Sequence, residues 1–453
     1  MTQRLRVAGL IVGFAALLGI LVAYGTDPRG QQPPVPAQAA PLPSAPDDQI
    51  FSLLPCLDVP ELRPIMADDA AAQVKEITAR IEETRGHRFG QDPVPEFVTD
   101  QEIRRRIIDK INTEYTADEA DAERRILAAL GAVPADVDLR ALVTDLLGGQ
   151  VIGFYDTKTE ELVVAAPDPL TSSLGLVAQS TLAHELDHAL IDAVIGLPDE
   201  QLEGPSDAAL AMLALVEGDA VLAQERFLLS AVTPGQALSM ADAPEVRQAQ
   251  EQLQDFPYVL RAELSFPYGE GAVFVCSLFA RGGWQAVDAA YRAPPTTSAQ
   301  ILFPQRYASR EGATDPRDPG ALGGTWTRAQ TDTIGAADLL WLFQAPGDDL
   351  QAGIDNPLGA AGAWAGGDVH LWTDGPASAV GIALVDRTSD GALCAAVARW
   401  YRAAFPGDRA AERRPGERLA SDGSTQDAVL RCAGREVRLG IAPDLATARA
   451  LAS

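Results

Sequence analysis

Two histidines four residues apart are the clearest chemical signal in this chain. His184 and His188 enclose Glu185 in the segment His-Glu-Leu-Asp-His. On a helix such residues share one face, so both imidazoles can reach one metal ion at about 2.0–2.1 Å, the usual distance from zinc to nitrogen. Glu185 lies about 100° round the helix from His184, where it can hold a metal-bound water without being a ligand. We therefore predict one catalytic Zn²⁺ ion, with Glu185 as the general base.

The third metal ligand is expected to be a carboxylate. A catalytic zinc ion usually has three protein ligands, and the next histidine after His188 is the distant His370. We favour Glu217, because a charged side chain among mostly apolar neighbours at helical spacing needs a partner. Asp219 has similar neighbours and is the alternative ligand. Asp192 is either an acceptor for the free N–H group of a ligand histidine or a solvent-facing residue.

The elements that must position these residues follow from the hydrophobic pattern. Two long helices are predicted at 173–195 and 206–230, one for each group of ligands. A β-hairpin with a polar loop is predicted at 151–165, directly before the first of these helices. Residues 48–150 have the pattern of amphipathic helices. Residues 321–453 contain a Gly/Ala-rich connector and then alternating strands and helices, so the fold class is α+β with a small carboxyl-terminal unit.

The amino terminus has the pattern of a membrane anchor. Residues 7–25 carry no charge, and in a helix they span about 28 Å, close to the apolar thickness of a bilayer. Arg4 and Arg6 precede this run and favour a cytoplasmic amino terminus. We predict a single-pass signal anchor in residues 1–25, a Pro/Ala-rich linker at 26–47 and an extracytoplasmic globular part. Secretion after signal cleavage is the alternative.

The overall charge excludes some functions. The chain has 453 residues and a formal net charge of −27, with 63 Asp and Glu against 36 Lys and Arg. Such an acidic chain lacks the basic face that nucleic-acid binding requires. It is also not held to anionic lipid by charge alone.

The cysteine count fits an oxidising compartment. The four cysteines of an exported chain favour two disulfides, and we expect Cys394 to pair with Cys432 and Cys56 with Cys276. The alternative is that Cys56 is a free thiolate that blocks the zinc ion until it is removed.

The motifs resemble those of the zincin metallopeptidases, specifically the gluzincin type, in which a ligand Glu on a second helix follows the HExxH helix. The chain is more closely similar to a group of uncharacterised bacterial zinc metallopeptidases that are membrane-anchored or exported. The resemblance covers about residues 151–307. Its segments are GFYD at 153–156, HELDHAL, ALVEGDA, FPYGEG, GGWQAVDAAYRAPP at 282–295 and QILFPQRY at 300–307, with a weaker match in WAGGDVHLW.

The resemblance implies a zincin-like catalytic domain at 151–320. In zincins the hairpin supplies an edge strand to which a peptide substrate adds as a further strand; a purely structural hairpin is the alternative here. Tyr268 of the FPYGEG segment is a candidate hydrogen-bond donor to the oxyanion, and His370 is another. One position departs from the common gluzincin pattern, because Val221 stands where an Asp usually follows the ligand Glu by four residues.

These observations predict a zinc metalloendopeptidase that hydrolyses peptide bonds outside the cytoplasm. The alternative from another class is a non-catalytic, zinc-stabilised protein of the cell envelope that displays a binding hairpin. Both require zinc, but only the enzyme requires Glu185.

Overall fold

The computed structural model describes residues 10–14, 56, 61–166, 173–197, 206–241 and 244–453. Within these ranges the chain is a mixture of helices and two β-sheets, which confirms the predicted α+β class. The helices are α1 (Ala70–Arg85), α2 (Asp100–Glu114), α3 (Ala117–Ala129), α4 (Leu139–Gln150), α5 (Leu176–Val194), α6 (Ser206–Ala231), α7 (Pro234–Ala241), α8 (Pro244–Leu253), α9 (Tyr258–Arg292), α10 (Ser298–Leu302), α11 (Pro304–Ala308), α12 (Ala336–Gln344), α13 (Pro357–Ala361), α14 (Ala392–Ala404) and α15 (Leu445–Leu451).

Local capping explains where the helices before the hairpin begin. The side chains of Asp69, Thr99 and Asp138 accept hydrogen bonds from backbone N–H groups in the first turns of α1, α2 and α4. Thr116 and Glu119 form a reciprocal capping box at the start of α3. The predicted helical character of residues 48–150 is confirmed for the part that the structure describes.

The predicted hairpin is present in a four-stranded sheet. Its strands are β3 (Val151–Asp156) and β4 (Glu161–Ala165), which pair antiparallel. The sheet also contains β1 (Leu10–Phe14), antiparallel to β3, and β2 (Glu96–Val98), parallel to β4, in the order β1-β3-β4-β2. The hairpin therefore lies in the middle of the sheet instead of at its edge.

The apolar run at the amino terminus is described only at Leu10–Phe14, which forms strand β1 instead of the predicted helix. The rest of the run and the linker at 26–47 lie outside the described residues. No helix in the described ranges combines the length and apolarity needed to cross a bilayer.

Helices α5, α6 and α9 pack together behind the hairpin. The closest approach is between α6 and α9, where a Cβ atom on Gly218 would lie 2.3 Å from the carbonyl group of Gly271. A Cβ atom on Gly271 would in turn lie 2.3 Å from the carbonyl oxygen of Ala214. The two glycines let the helix backbones touch next to Glu217. Helix α9 is interrupted at Gly282 and Gly283, the second of which has a φ of +61°.

The carboxyl-terminal part of the chain contains one large sheet. Residues 327–442 form a seven-stranded sheet in the order β5-β6-β7-β11-β10-β9-β8. The predicted strands and helices of residues 368–453 are present, but β5, β8, β9 and α12 were not predicted. The strands are β5 (Thr327–Thr333), β6 (Trp364–Asp374), β7 (Ala377–Asp386), β8 (Arg409–Ala410), β9 (Glu417–Asp422), β10 (Asp427–Ala433) and β11 (Glu436–Ala442).

The carboxyl-terminal unit shares its core with the helices. One continuous apolar cluster runs from Ile103 on α2 through α6 and α9 to Ile441 on β11. At the start of α6, the backbone N–H groups of Ser206 and Asp207 donate hydrogen bonds to Asp332 and Thr333 of β5. The start of the second ligand helix is thus fixed by the carboxyl-terminal sheet.

Both expected disulfides are present. Cys56 is joined to Cys276 and Cys394 to Cys432. The first joins the amino-terminal region to α9, and the second joins α14 to β10. The alternative of a free Cys56 thiolate is therefore wrong.

Candidate metal centre

The HExxH residues lie in the middle of α5, which is apolar around most of its circumference. Leu182, Ala183, Leu186 and Leu190 are buried on the other faces of the helix. His184 and His188 are each 2% exposed and Glu185 is fully buried. The helix holds the two imidazoles one turn apart, and its burial fixes their position in the core.

The structure brings the three predicted ligands together. The Nε2 atoms of His184 and His188 are 3.1 Å apart. Oε2 of Glu217, on α6, lies 3.1 Å from Nε2 of His184 and 3.4 Å from Nε2 of His188. Glu217 is 1% exposed, so its carboxylate is directed at the imidazoles and not at solvent.

The spacing of these three atoms fits a metal ion. Ligand atoms about 2.0–2.1 Å from a tetrahedral zinc ion lie about 3.3 Å from one another, and the three distances measured here are 3.1–3.4 Å. A single proton can satisfy only one pair of these atoms. A cation at their centre would satisfy all three, and the donor set of two imidazoles and one carboxylate suits Zn²⁺.

Gln224 fixes the orientation of His184. Its Oε1 atom lies 3.3 Å from Nδ1 of His184, and its amide nitrogen donates to both the carbonyl and the hydroxyl oxygen of Ser180 at 3.0 Å. With the amide nitrogen committed to Ser180, the oxygen accepts from Nδ1–H. The lone pair of Nε2 is then directed at the candidate metal position. In the sequence pattern, Gln224 is only a polar interruption of the apolar stripe around Glu217, so its role could not be predicted.

Burial and neighbouring side chains shift the pKa values of His188 and Glu217. Burial lowers the pKa of His188, which favours the neutral imidazole. Burial acts to raise the pKa of Glu217, but His188 and His184 outweigh it and hold that pKa below its usual value. Neutral imidazoles and an ionised carboxylate are the forms that bind a metal.

Asp219, the alternative ligand, lies in another cluster. Its Oδ2 atom accepts hydrogen bonds from Nη2 of Arg85 at 3.0 Å and from the hydroxyl group of Tyr291 at 2.8 Å. On α5, Asp187 lies 3.0 Å from Nε of the same guanidinium group. Asp219 therefore belongs to a cluster around Arg85, which leaves Glu217 as the carboxylate beside the histidines.

The Arg85 cluster joins four helices at the metal centre. The side chain of Arg85 on α1 is completely buried, and Asp288 on α9 contacts its Nη2 atom at 3.1 Å. Trp284 lies with its ring centre 4.0 Å from the guanidinium carbon, and His87 contacts Asp288 at 2.8 Å. Burial raises the pKa of Asp187 and of Asp219 despite the charge of Arg85. The cluster thus joins α1 and α9 to both helices that carry the candidate metal ligands.

Three residues of the segment 153–156 have distinct contacts. A Cβ atom on Gly153 would lie 2.4 Å from Thr181 and 3.1 Å from Oε1 of Glu185, so only glycine lets β3 pass so close to the predicted base. Tyr155 donates a hydrogen bond to Asp192 at 2.8 Å. Asp156 accepts backbone hydrogen bonds within the hairpin turn and contacts Lys110 of α2 at 2.6 Å.

Of three further candidate residues, one lies beside the candidate metal centre and two make other contacts. Asp192 accepts hydrogen bonds from Tyr155 and from the backbone of Leu197, so it joins α5 to the hairpin. The ring of Tyr268 stacks beside that of His184, with centroids 6.2 Å apart, so it lies at the candidate site. His370, in β6, groups with Asp318 and Asp368 instead.

The chain was compared with models of protein families, with curated proteins and with solved structures, and none of them matches it. The residues and distances described above are therefore the basis on which a function is proposed.

Proposed function

We propose that the protein is a zinc metallopeptidase, with His184, His188 and Glu217 as the metal ligands. The observation that carries the proposal is the set of mutual distances of 3.1–3.4 Å between one atom of each ligand. A structural metal alone would not require Glu185. Its burial in the same helix turn, beneath a strand held close by Gly153, favours an enzyme.

The residues of this chain have separate roles in the proposed hydrolysis. A bound zinc ion would supply Lewis-acid polarisation of the substrate carbonyl and a lowered pKa for water. Glu185 accepts a proton from the attacking water and later donates it to the leaving amine. Its carboxylate is placed for this by the close packing of α5 against β3. Tyr268, beside His184, is the proposed hydrogen-bond donor to the developing oxyanion.

The proposed substrate is an extended peptide on the outer edge of β3. In the structure this edge pairs antiparallel with Leu10–Phe14, with Gly13 opposite Gly153. The edge therefore has the geometry to accept an extended segment directly above Glu185. A substrate that adds there takes the place of β1, and backbone pairing would give little demand for a particular sequence.

The proposed location is outside the cytoplasm. The two disulfides support this, because such bonds persist mainly in oxidising compartments. The membrane anchor at residues 1–25 is proposed from the sequence, and it would require Leu10–Phe14 to leave strand β1.

The test is Glu185→Gln in the full chain. This variant should bind zinc and have the same stability as the wild type. Its cleavage of an unfolded protein substrate should be about 10²–10⁴-fold slower, because a general base is lost. Glu83→Gln, at an exposed surface ion pair, is the control and should keep full activity. Undiminished cleavage by the Glu185 variant would contradict the mechanism. A zinc-loaded wild type without activity on unfolded proteins would favour the non-catalytic binding protein.

A further inference from the structure

A second group of metal-binding residue types lies in the carboxyl-terminal unit. Asp368 and His370 are two residues apart on β6, so their side chains are on the same face of the sheet. Asp318 precedes β5. One nitrogen of His370 and one oxygen from each aspartate all lie within 4.8 Å of one another.

The loop that carries Asp318 is fixed over this face. The backbone N–H group of Thr314 donates to Ala365, and that of Gly320 donates to Leu451. Between these two anchors, Pro319 packs on Gly381, where a Cβ atom would lie 3.1 Å from the proline ring. Gly381 is the cross-strand partner of His370, and such partners share a face. The loop therefore brings Asp318 next to His370.

His370 lacks the partner that its burial requires. The residue is 1% exposed, and its Nε2 atom has no hydrogen-bond partner among the described residues. Its Nδ1 atom lies 3.5 Å from Nη1 of Arg328. Leaving a buried polar atom unpaired costs about 1–3 kcal/mol.

The charges around Asp368 also favour a cation. Asp318, Asp315 and Asp332 all place negative charge near Asp368. The nearby Arg328 lies 3.7 Å from Asp318 and also stacks on Trp372. One guanidinium group does not balance four carboxylates.

We propose that Asp318, Asp368 and His370 bind a second divalent ion, of the zinc class of first-row transition metals. The donor set of one imidazole and two carboxylates suits Zn²⁺ and is unlike the all-oxygen shell of Ca²⁺. The exposed Asp318 is the ligand that moves to close the shell around the ion. The bound ion would link the loop at 314–320 to β6, and it does not depend on the HExxH site.

The experiment measures the number of zinc ions that bind to each chain. The full chain is stripped with a chelator, loaded with Zn²⁺, freed of excess ions by gel filtration and analysed by mass spectrometry of the metal. The wild type should hold two ions per chain. Asp368→Asn and the exposed Asp318→Asn should each hold one, with at least a tenfold loss of affinity at the second site. Asp145→Asn changes an exposed aspartate on α4 outside both groups and should keep two ions, and Ca²⁺ should not compete.

The variants separate this inference from the proposed function. His184→Ala should keep one ion, and adding Asp368→Asn to it should leave none. If the wild type holds a single ion that Asp368→Asn does not remove, or two ions that persist in both aspartate variants, the second site is wrong. If His184→Ala removes no zinc but Asp368→Asn does, the second site stands and the proposed function fails.

Discussion

At the residue scale, the candidate site depends on the hydrogen-bonding state of each imidazole. Nδ1 of His184 can donate only if Gln224 presents its oxygen, and Gln224 presents its oxygen because its nitrogen is bound to Ser180. Such outer partners fix both the tautomer and the direction of a ligand. The geometry of the candidate site thus depends on Gln224 and Ser180, which are not among its proposed ligands.

Gln224→Leu should weaken zinc binding about 10–100-fold, because Nδ1–H of His184 loses its acceptor. Ser180→Ala, which keeps the carbonyl oxygen that holds the amide nitrogen of Gln224, should retain the wild-type affinity within a few-fold. Competition with a chromogenic zinc chelator measures both variants. Equal weakening in the two variants would mean that packing, and not the acceptor, fixes His184.

At the element scale, the position of Glu217 depends on how closely α6 approaches α9. Gly218 directly follows the ligand, and the backbone of α9 occupies the space where a side chain would be. Small residues at such a crossing set the distance between helix axes. The glycine in the ALVEGDA segment is therefore a packing residue that positions the carboxylate before it.

Gly218→Ala should destabilise the fold by about 1–3 kcal/mol, because the added methyl group overpacks the crossing. It should also reduce zinc affinity, since α6 must shift. Gly149→Ala is the matched control: its Cβ would make only ordinary contacts in α4, and alanine there should stabilise the helix by about 0.5–1 kcal/mol. Urea denaturation with and without zinc measures both effects. A Gly218 variant as stable as the wild type would show that the crossing can adjust.

Some elements could be predicted from the sequence because local signals define them. The four helices before the hairpin have clear caps and periodicity, and the HExxH spacing predicts the close approach of His184 and His188 that the structure has. Strand β5 was missed because Thr327–Thr333 is polar and largely exposed at the edge of its sheet, so it has no apolar alternation. Leu10–Phe14 has a continuous apolar pattern that does not distinguish a strand from a helix; only its pairing with β3 does.

At the scale of the whole molecule, the metal centre depends on regions far apart in the chain. Arg85 contacts Asp219 and Asp288, which are 134 and 203 residues away. The pattern around Asp219 showed that it needed a partner but did not identify Arg85, since nothing local links them. Contacts of this separation are set by the packing of α1, α5, α6 and α9 together.

Arg85→Met should destabilise the protein by at least about 3–5 kcal/mol, because three buried carboxylates lose their common cation. Arg105→Met is the control, since Arg105 forms ion pairs only on the exposed surface of α2, and its effect should stay within about 1 kcal/mol. Thermal and denaturant unfolding measure the difference. Similar small effects for both variants would mean that the carboxylates around Arg85 are already neutral.

The distance along the chain between Arg85 and its partners also sets an order of events during synthesis. A ribosome adds about 5–20 residues per second, so Asp288 follows Arg85 by about 10–40 s across their separation of 203 residues. Helices α5 and α6 are made within that interval, and the cluster behind them stays incomplete until α9 follows. The candidate metal centre therefore reaches its final geometry only late in synthesis, after α9 has been made.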